Sequence, residues 1–373
     1  MAVEVRRLLE LRNGLQSGEE AAMATVVRVA GSSYRKPGAR MMITRGGLRV
    51  GTVSGGCLEG EVGRKIWWLT EQGPAVLDYS TSYDDDSHPS YGLGCDGVVT
   101  LLLERISPAD PLFDSLRQAI EDRTPSAIVT VIGTNSTKAP LGARLILDGG
   151  TAPAHPHKLP ADLKRQMTSV ALGVLQARQT TLVTLAIEGG EVELFAEYLA
   201  PPPALFIFGA GDDAQPVVHL AHTMGWDVTV ADGRSNLAAH VRFPTARRVV
   251  VLNLDDPLSG LDLRGADAAV VLTHSYVQDV AILRAILPLE LLYLGVLGPR
   301  RRTERILGEV APSLGCDPEQ AMRRLRSPVG LDLGSGFPEV IALSIVSEIQ
   351  AVLTQRSATP LHFTALRPAS IHA

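Results

Sequence analysis

Two cysteines framed by glycines are the side chains of this sequence best suited to covalent or metal chemistry. Cys57 follows Gly55 and Gly56 in the run SGGCLEG, and Cys95 lies in the run GLGCDG. A strand that runs into a glycine turn and then a helix places Cys57 at a helix N-terminus, where partial positive charge stabilises a thiolate. A thiolate is a nucleophile and a soft ligand for metals or sulfur. The alternative role for an unpaired cysteine is a small buried apolar side chain.

The number and spacing of the cysteines narrow this chemistry. The chain has 3 cysteines, with no C-x-x-C pair and no zinc-finger spacing. This pattern argues against a structural zinc site and against an even disulfide framework, and it suits a reducing compartment. Because Cys57 and Cys95 both lie among glycines at the ends of predicted elements, we predict that they share a site. Cys316 receives no role.

A basic loop precedes the first cysteine motif. The run GSSYRKPGARMM at 31–42 lies between two predicted strands and contains Arg35, Lys36 and Arg40. Backbone N–H groups together with these cations can wrap a phosphate or a carboxylate. A solvated hairpin is the alternative, because basic loops are common on protein surfaces.

A glycine loop in the second half of the chain has the pattern of a dinucleotide site. The run FGAGDDA at 208–214 follows a predicted strand and opens a predicted helix, as the G-x-G-x-x-A fingerprint requires. Gly209 permits the tight turn, and Gly211 lets the backbone approach a pyrophosphate at the helix N-terminus. Asp232, at the end of the next strand, can accept the ribose hydroxyls. Arg234 can accommodate a 2′-phosphate, so NAD and NADP both stay open.

Polar residues near other strand ends complete the candidate list. His274 follows a predicted strand at the edge where ligands bind in open α/β sheets, although it also suits a simple polar position. Arg300 begins a run of three arginines that could hold a phosphate or form a solvated face. Asp212 and Asp213 place negative charge beside the expected phosphates, and they equally suit the first turn of a helix.

Three consecutive prolines at 201–203 divide the elements that position these residues, because they continue neither a helix nor a central strand. Strands alternate with helices after them, which predicts a Rossmann-like, doubly wound parallel sheet over 201–373. Its predicted strands are 204–208, 227–231, 248–252, 267–273 and 292–296, and its helices lie near 213–224, 278–287, 301–311 and 337–355.

The first half has a different pattern, that of an α+β domain over 1–105 that carries the Gly-Cys loops. A β-rich middle region over 106–200 follows, which is either separate or part of the first domain. The predicted strands are 23–30, 40–44, 47–53, 97–104, 127–132, 141–148, 180–187 and 191–199, with helices at 3–16, 58–71 and 160–178. Together the two halves predict a chain of the α/β class.

Composition excludes several partners. The 373 residues include 35 Lys and Arg against 40 Asp and Glu, a net charge of -5, which argues against a general binder of nucleic acid or anionic membranes. No uncharged apolar run reaches the roughly 18 residues of a membrane span, and the N-terminus lacks the apolar core of a signal peptide. We therefore expect a cytoplasmic protein. Many of the 35 glycines gather at 31–38, 46–60, 92–97, 209–211 and 330–336, where bare backbone can approach a ligand.

The ordered motifs resemble those of the XdhC/CoxI family of xanthine dehydrogenase accessory proteins. GSSYRKPGARM, VSGGCLEGEV and GLGCDG are similar to its N-terminal domain. FIFGAGDDAQPVVHLAHTMGWDVTVADGR, LTHSYVQD, LGVLGPRRR and SPVGLDLGSGFPEVIALSIVSEI are similar to its Rossmann domain. The resemblance covers about 5–105 and 203–355, and a series of motifs in order is far more specific than any single one.

The resemblance implies a protein that handles molybdenum cofactor, the molybdopterin complex. Family members are understood to bind it, to assist its sulfuration, and to deliver it to apo xanthine dehydrogenase or a related molybdenum hydroxylase, commonly as homodimers. A cysteine desulfurase is then a candidate partner. In this interpretation Cys57 and Cys95 contact the molybdenum or its sulfur in a cleft between the domains, and the protein is a maturation chaperone rather than a turnover enzyme.

The chain departs from the family pattern at two places, and its glycine fingerprint with Asp232 keeps a different function open. Ser275 and Tyr276 follow His274 where the family often has an acid and a second histidine, and Pro299 stands where a serine is usual. One alternative function is an NAD(P)-dependent oxidoreductase acting on a small molecule, with His274 as its acid or base. Another is a protein-binding module without a cofactor.

Overall fold

The chain forms two compact units that meet in sequence at the three prolines. The computed structural model describes residues 2–16, 19–56, 58–80, 97–149, 159–334 and 336–363. The first unit contains the described residues up to Pro201, and the second begins at Pro202. The middle region therefore lies in the same unit as the N-terminal motifs. No helix in these ranges is long and apolar enough to cross a membrane.

The first unit is built on two sheets. Its elements are α1 (Ala2–Gly14), β1 (Ala21–Gly31), β2 (Arg40–Thr44), β3 (Arg49–Gly51), α2 (Glu59–Leu69), β4 (Ala75–Ser80), β5 (Gly97–Ile106), α3 (Pro111–Glu121), β6 (Ser126–Thr134), β7 (Arg144–Asp148), α4 (Ala161–Ala177), β8 (Thr181–Ile187) and β9 (Gly190–Leu199). The first sheet has the order β3-β2-β1-β5-β4 and the second the order β7-β6-β9-β8, and neighbouring strands in both are antiparallel.

Alternation along the strands gives each sheet two buried faces. In the first sheet, Ala24 and Val26 pack with Val62 of α2. On the opposite face, Val27 packs with Phe195 of the second sheet. The far face of the second sheet is covered by α4, whose apolar residues pack on β6, β7 and β9. The two sheets therefore lie face to face between helices.

Buried ion pairs join the two sheets. Arg40 of β2 holds Glu197 of β9 by two hydrogen bonds, one of them 2.9 Å, and their side chains are 4% and 1% exposed. Arg144 of β7 forms a second buried ion pair, with Glu104 of β5. Burial raises the pKa of Glu104, although Arg144 opposes this shift. The interior between the sheets thus depends on matched charges as well as on apolar packing.

The second unit is a doubly wound parallel sheet, as predicted from the alternation of strands and helices. Its elements are β10 (Ala204–Phe208), α5 (Ala214–Thr223), β11 (Asp227–Asp232), β12 (Arg248–Val251), β13 (Ala268–Val271), α6 (Tyr276–Ile286), β14 (Tyr293–Val296), α7 (Arg300–Ser313), α8 (Pro318–Arg323) and α9 (Pro338–Leu353). The strand order is β12-β11-β10-β13-β14, and every pair is parallel. Apolar clusters cover both faces. The order reverses between β10 and β13, which is the switch point where such sheets bind ligands.

Candidate functional site

The motif loops of the first unit lie against one another. A Cβ on Gly97, the last residue of the GLGCDG motif, would be 2.2 Å from the carbonyl oxygen of Ser32 in the basic loop. A Cβ on Gly55 would be 3.6 Å from the ring of Tyr34 in the same loop. The loop at 31–38, the turn at 52–56 and the start of β5 therefore form one site, which we call the motif-loop site.

Cys57 and Cys95 lie outside the described residues, so their roles stay predictions. Gly55 and Gly56, which precede Cys57, are exposed. Gly56 has a φ of 120°, a left-handed conformation that favours glycine, and no atom lies within 4 Å of where its Cβ would be. Bare backbone with open space beside it can be approached closely by a ligand. Cys316 is partly buried, and its thiol lies 3.4 Å from the carbonyl oxygen of Ala311.

Glu59 holds the turn that leads to Cys57. Its carboxylate is buried, and it accepts hydrogen bonds from the backbone N–H groups of Val53 at 3.0 Å and Ser54 at 2.8 Å. The Ser54 hydroxyl donates to it at 2.7 Å and accepts from the N–H of Leu58 at 3.0 Å. Burial opposes the charge, but the hydrogen bonds from Ser54 and Val53 outweigh it and hold the pKa of Glu59 below its usual value. Motif spacing did not single out this residue.

We expect Glu59→Gln to lower the free energy of unfolding at pH 7 by about 2 kcal/mol, because an amide nitrogen would face a buried donor. A depressed folded-state pKa stabilises the fold above the unfolded value, near 4.3, and this stabilisation is lost as pH falls through the folded value. The unfolding free energies of wild type and variant, measured in urea, should therefore stay apart down to about pH 4.3 and converge only as pH falls further, through the folded-state pKa of Glu59. Exposed Glu71 offers the control Glu71→Gln. A gap that stays constant with pH would contradict this account.

The cations of the basic loop are placed differently from one another. Arg35 pairs with Glu4 of α1, whose other oxygen accepts from the N–H groups of Arg40 and Thr52, both at 3.4 Å. Glu4 thus ties α1 to both loops, a role that local patterns did not indicate. The guanidinium of Arg40 is buried on Glu197 and on the carbonyl of Gly38 at 3.0 Å. Arg40 would have to leave Glu197 to take the phosphate-binding role predicted for it.

A cavity of about 270 Å³ lies between α1 and the basic loop. Glu4, Leu8 and the run 34–40 line it. The cavity brings the paired Arg35 and the exposed Lys36 to one wall. Of the predicted cations, Arg35 can reach an anion here only by leaving Glu4, whereas Lys36 has no carboxylate partner among the described residues.

In the second unit the glycine loop follows β10 at the switch point. Gly209 has a φ of 124°, and a Cβ there would lie 2.5 Å from the backbone of Leu272, so only glycine fits. A Cβ on Gly211 would lie 2.7 Å from the Asp213 carboxylate. That carboxylate therefore lies close over the loop backbone where a pyrophosphate would approach.

The Asp232 carboxylate is fully buried and bonded to protein donors. It accepts from the N–H of Ala210 at 2.8 Å, from the N–H of Arg234 at 2.9 Å, and from two nitrogens of the Arg234 guanidinium. Burial disfavours its charge, but Arg234 and Ala210 outweigh this and hold the pKa of Asp232 below its usual value. A carboxylate has about four acceptor positions. A ribose hydroxyl would have to displace one of these donors.

His274 forms a dyad with Asp213 at the same edge. Its Nε2 lies 2.6 Å from a carboxylate oxygen of Asp213, and its side chain is 63% exposed. Its φ is 57°, a left-handed conformation that costs a non-glycine residue energy and is found often at functional sites. An imidazole held by a carboxylate can accept or donate a proton. The described residues contain no group of three or more acidic, histidine or cysteine side chains placed to hold a metal ion.

A buried acid supports the backbone next to His274. The carboxylate of Asp279 in α6 accepts a hydrogen bond from the Thr273 hydroxyl and forms an ion pair with Arg302 of α7. Burial raises the pKa of Asp279, while Thr273 and Arg302 oppose this shift. Arg300, which was predicted to bind phosphate or form a solvated face, is exposed and donates to Glu304 at 3.0 Å. The structure thus gives Arg302, rather than Arg300, a buried partner.

Comparisons with known proteins match both units. A family model described as the XdhC Rossmann domain matches residues 205–349, and one described as the XdhC and CoxI family matches 15–80. A protein of Bacillus subtilis (strain 168) that is named a probable xanthine dehydrogenase subunit is 32% identical over 338 residues, which is 90% of this chain and 94% of that protein.

Two further comparisons extend over most of the chain. Molybdenum cofactor insertion chaperone PaoD of Escherichia coli (strain K12) is 24% identical over 340 residues, which is 91% of this chain and 85% of that protein. The crystal structure of a xanthine dehydrogenase from Bacillus halodurans superposes with a TM-score of 0.73 at 30% identity, covering 96% of this chain and 98% of that one.

Proposed function

Since the chain belongs to the XdhC and CoxI family, we propose that it is a cytoplasmic maturation factor that binds molybdenum cofactor and inserts it into xanthine dehydrogenase or a related hydroxylase. The relatives support a role in maturation, because one of them is named a molybdenum cofactor insertion chaperone. Two finer steps belong to this proposal: sulfuration of the bound cofactor with a cysteine desulfurase as sulfur donor, and action as a homodimer.

The convergence of the basic loop, the turn at 52–56 and the start of β5 is the observation that supports the proposal most. Gly55 and Gly56 offer exposed bare backbone, and Lys36 supplies a cation without a carboxylate partner among the described residues. Molybdenum cofactor is here the cargo, and its phosphate and metal-bound sulfurs suit N–H groups, a cation and thiolates. We assign Cys57 and Cys95 to the contact with molybdenum or its sulfur.

The rigid support of the turn has a chemical purpose in this proposal. Glu59 and Ser54 hold the backbone just before Cys57, two residues ahead of α2. The partial positive charge at the start of α2 favours a thiolate at Cys57. A thiolate held in place can contact soft sulfur or metal without first reorganising the turn.

The second unit contributes a separate set of groups. The Asp213–His274 dyad lies at the switch point, so His274 is our candidate for proton transfer there. The oxidoreductase alternative gains no support, because Asp213 covers the glycine loop and the Asp232 carboxylate is bonded to Ala210 and Arg234. Any NAD(P) bound there would have to displace these contacts.

The decisive experiment is to express the protein in cells that make the cofactor and to measure pterin fluorescence after oxidation of the purified protein. We expect bound pterin, and we expect Cys57→Ser to lower activation of an apo xanthine dehydrogenase at least tenfold. Cys316→Ser is the matched control, since Cys316 lies in the second unit outside the motif loops. Absence of pterin, or equal activation by the two variants, would refute the proposal.

A further inference from the structure

A second cavity of the first unit, of about 460 Å³, has no function assigned so far. One wall is Lys36 and Pro37 of the basic loop, and the other is the run 177–182 that joins α4 to β8. We call it the β8 cavity. Most of that second wall lies in a stretch that neither family model matches. Its volume is that of a site for a small molecule, for which about 300–1,000 Å³ is usual.

The floor of the β8 cavity is apolar. Val27 and Phe195 are 1% and 2% exposed and belong to the cluster between the two sheets, against which Leu182 packs. The ring of Phe195 and the aliphatic side chains beside it favour a ligand with a flat apolar body.

Two cations, Lys36 and Arg178, lie at the same cavity. Lys36 and Arg178 are exposed, and neither has a carboxylate oxygen within 4.0 Å among the described residues. The acids of neighbouring β9 are already paired, Glu193 with Arg28 and Glu197 with Arg40. Among the described residues that line the cavity or flank it on β9, the unpaired charge is therefore positive, which attracts an anion.

The backbone of Arg178 gives a second, independent indication. Arg178 caps the C-terminus of α4 with a φ of 53°, a position that favours glycine. The backbone of a non-glycine residue is strained in this conformation, and strained backbone occurs often at residues whose side chains bind a ligand. Here the strained residue supplies one of the two cations.

We propose that the β8 cavity binds a small aromatic anion. Its ring lies against Phe195 and Leu182, and its acid group, a carboxylate, sulfonate or phosphate, is held by Lys36 and Arg178. This site shares Lys36 and Pro37 with the motif-loop site, but its other lining residues differ, and it does not depend on the function proposed above. It gives the middle region of the chain a role in recognising a ligand.

The test uses the full chain and two fluorescent probes that differ in charge. 8-Anilinonaphthalene-1-sulfonate carries an acid group on an aromatic body, whereas N-phenyl-1-naphthylamine has a similar body without the charge. We expect saturable binding of the sulfonate at one site, with a Kd raised about tenfold or more by Arg178→Ala and by Lys36→Ala, as for loss of a charge-assisted hydrogen bond. The neutral probe should bind more weakly and respond to neither substitution.

Controls make the result specific. Arg165→Ala removes an exposed arginine of α4 that pairs with Asp162 on the same helix, and it should leave both probes unaffected. Displacement by 1-naphthoate or by 1-naphthyl phosphate identifies the preferred acid group. Absence of saturable sulfonate binding, equal effects of Arg178→Ala and Arg165→Ala, or failure of both competitors to displace the probe would overturn the proposal.

Discussion

Arg40→Met will lower the free energy of unfolding of the first unit by about 3–5 kcal/mol, the usual cost of leaving a buried charge without its partner. The Glu197 side chain is 1% exposed, and its carboxylate lies against the backbone of Gly38, where a Cβ would be 2.8 Å away. Water cannot readily solvate it there. Urea unfolding followed by tryptophan fluorescence measures the loss, with Trp67 and Trp68 of α2 as reporters in this unit.

Two further variants show whether the cause is charge or packing. Arg165→Met, at an arginine that is 75% exposed, should change stability by no more than about 0.5 kcal/mol. The double variant Arg40→Met with Glu197→Leu should regain most of the loss, because apolar residues of similar volume can replace a buried ion pair. If Arg40→Met alone lowers the free energy of unfolding no more than Arg165→Met does, Glu197 finds other partners when Arg40 is absent.

The double variant also tests the predicted phosphate role of Arg40. If its stability recovers, its cofactor binding can be compared with wild type without the complication of unfolding. We expect binding to be retained, because the Arg40 guanidinium is directed to Glu197 and Gly38 and not to the loop surface.

Gly209→Ala will destabilise the second unit by about 3 kcal/mol or more. A φ of 124° is strained for alanine, and the added Cβ would lie 2.5 Å from the backbone of Leu272, which side-chain movement cannot relieve. The glycine loop and the end of β13 would have to separate. The thermal unfolding midpoint of the second unit, followed through the buried Trp226, measures the effect.

Gly308→Ala is the matched control for this substitution. Gly308 lies inside α7, and no atom lies within 4 Å of where its Cβ would be. Alanine is favoured over glycine in a helix by about 0.5–1 kcal/mol, so this variant should be slightly more stable than wild type. If Gly209→Ala leaves the thermal unfolding midpoint unchanged, the close approach of Gly209 to the backbone of Leu272 does not limit the residue at this position in solution.

Most of the fold could be predicted from local patterns. The strands of the second unit are short apolar runs separated by helices, and the parallel sheet follows from that alternation. Three elements were missed. β4 is half-exposed and shows little alternation, and α8 has only 6 residues. For α3 the signal was present, since Asp110 caps the helix and Pro111 begins it.

The candidate site could be predicted only where its residues are close in sequence. The glycine positions followed from motif context, and Gly209 has the conformation that the tight turn requires. The burial of Arg40 could not be predicted, because its partner is 157 residues away and no local pattern shows which loop cation is buried. Glu4 and Asp213 were missed as partners of Arg35 and His274 for the same reason.

The distance in sequence between Arg40 and Glu197 also limits how early the first unit can fold during synthesis of the chain. β9, which carries Glu197, is an inner strand of the second sheet, between β6 and β8. A nascent chain that has not yet reached residue 197 therefore holds a cation whose buried partner does not exist, and the sheet interface cannot close. A fragment that contains β2 but ends before β9 likewise has Arg40 without Glu197. The first unit can complete its folding only after β9, which carries Glu197, has been synthesised.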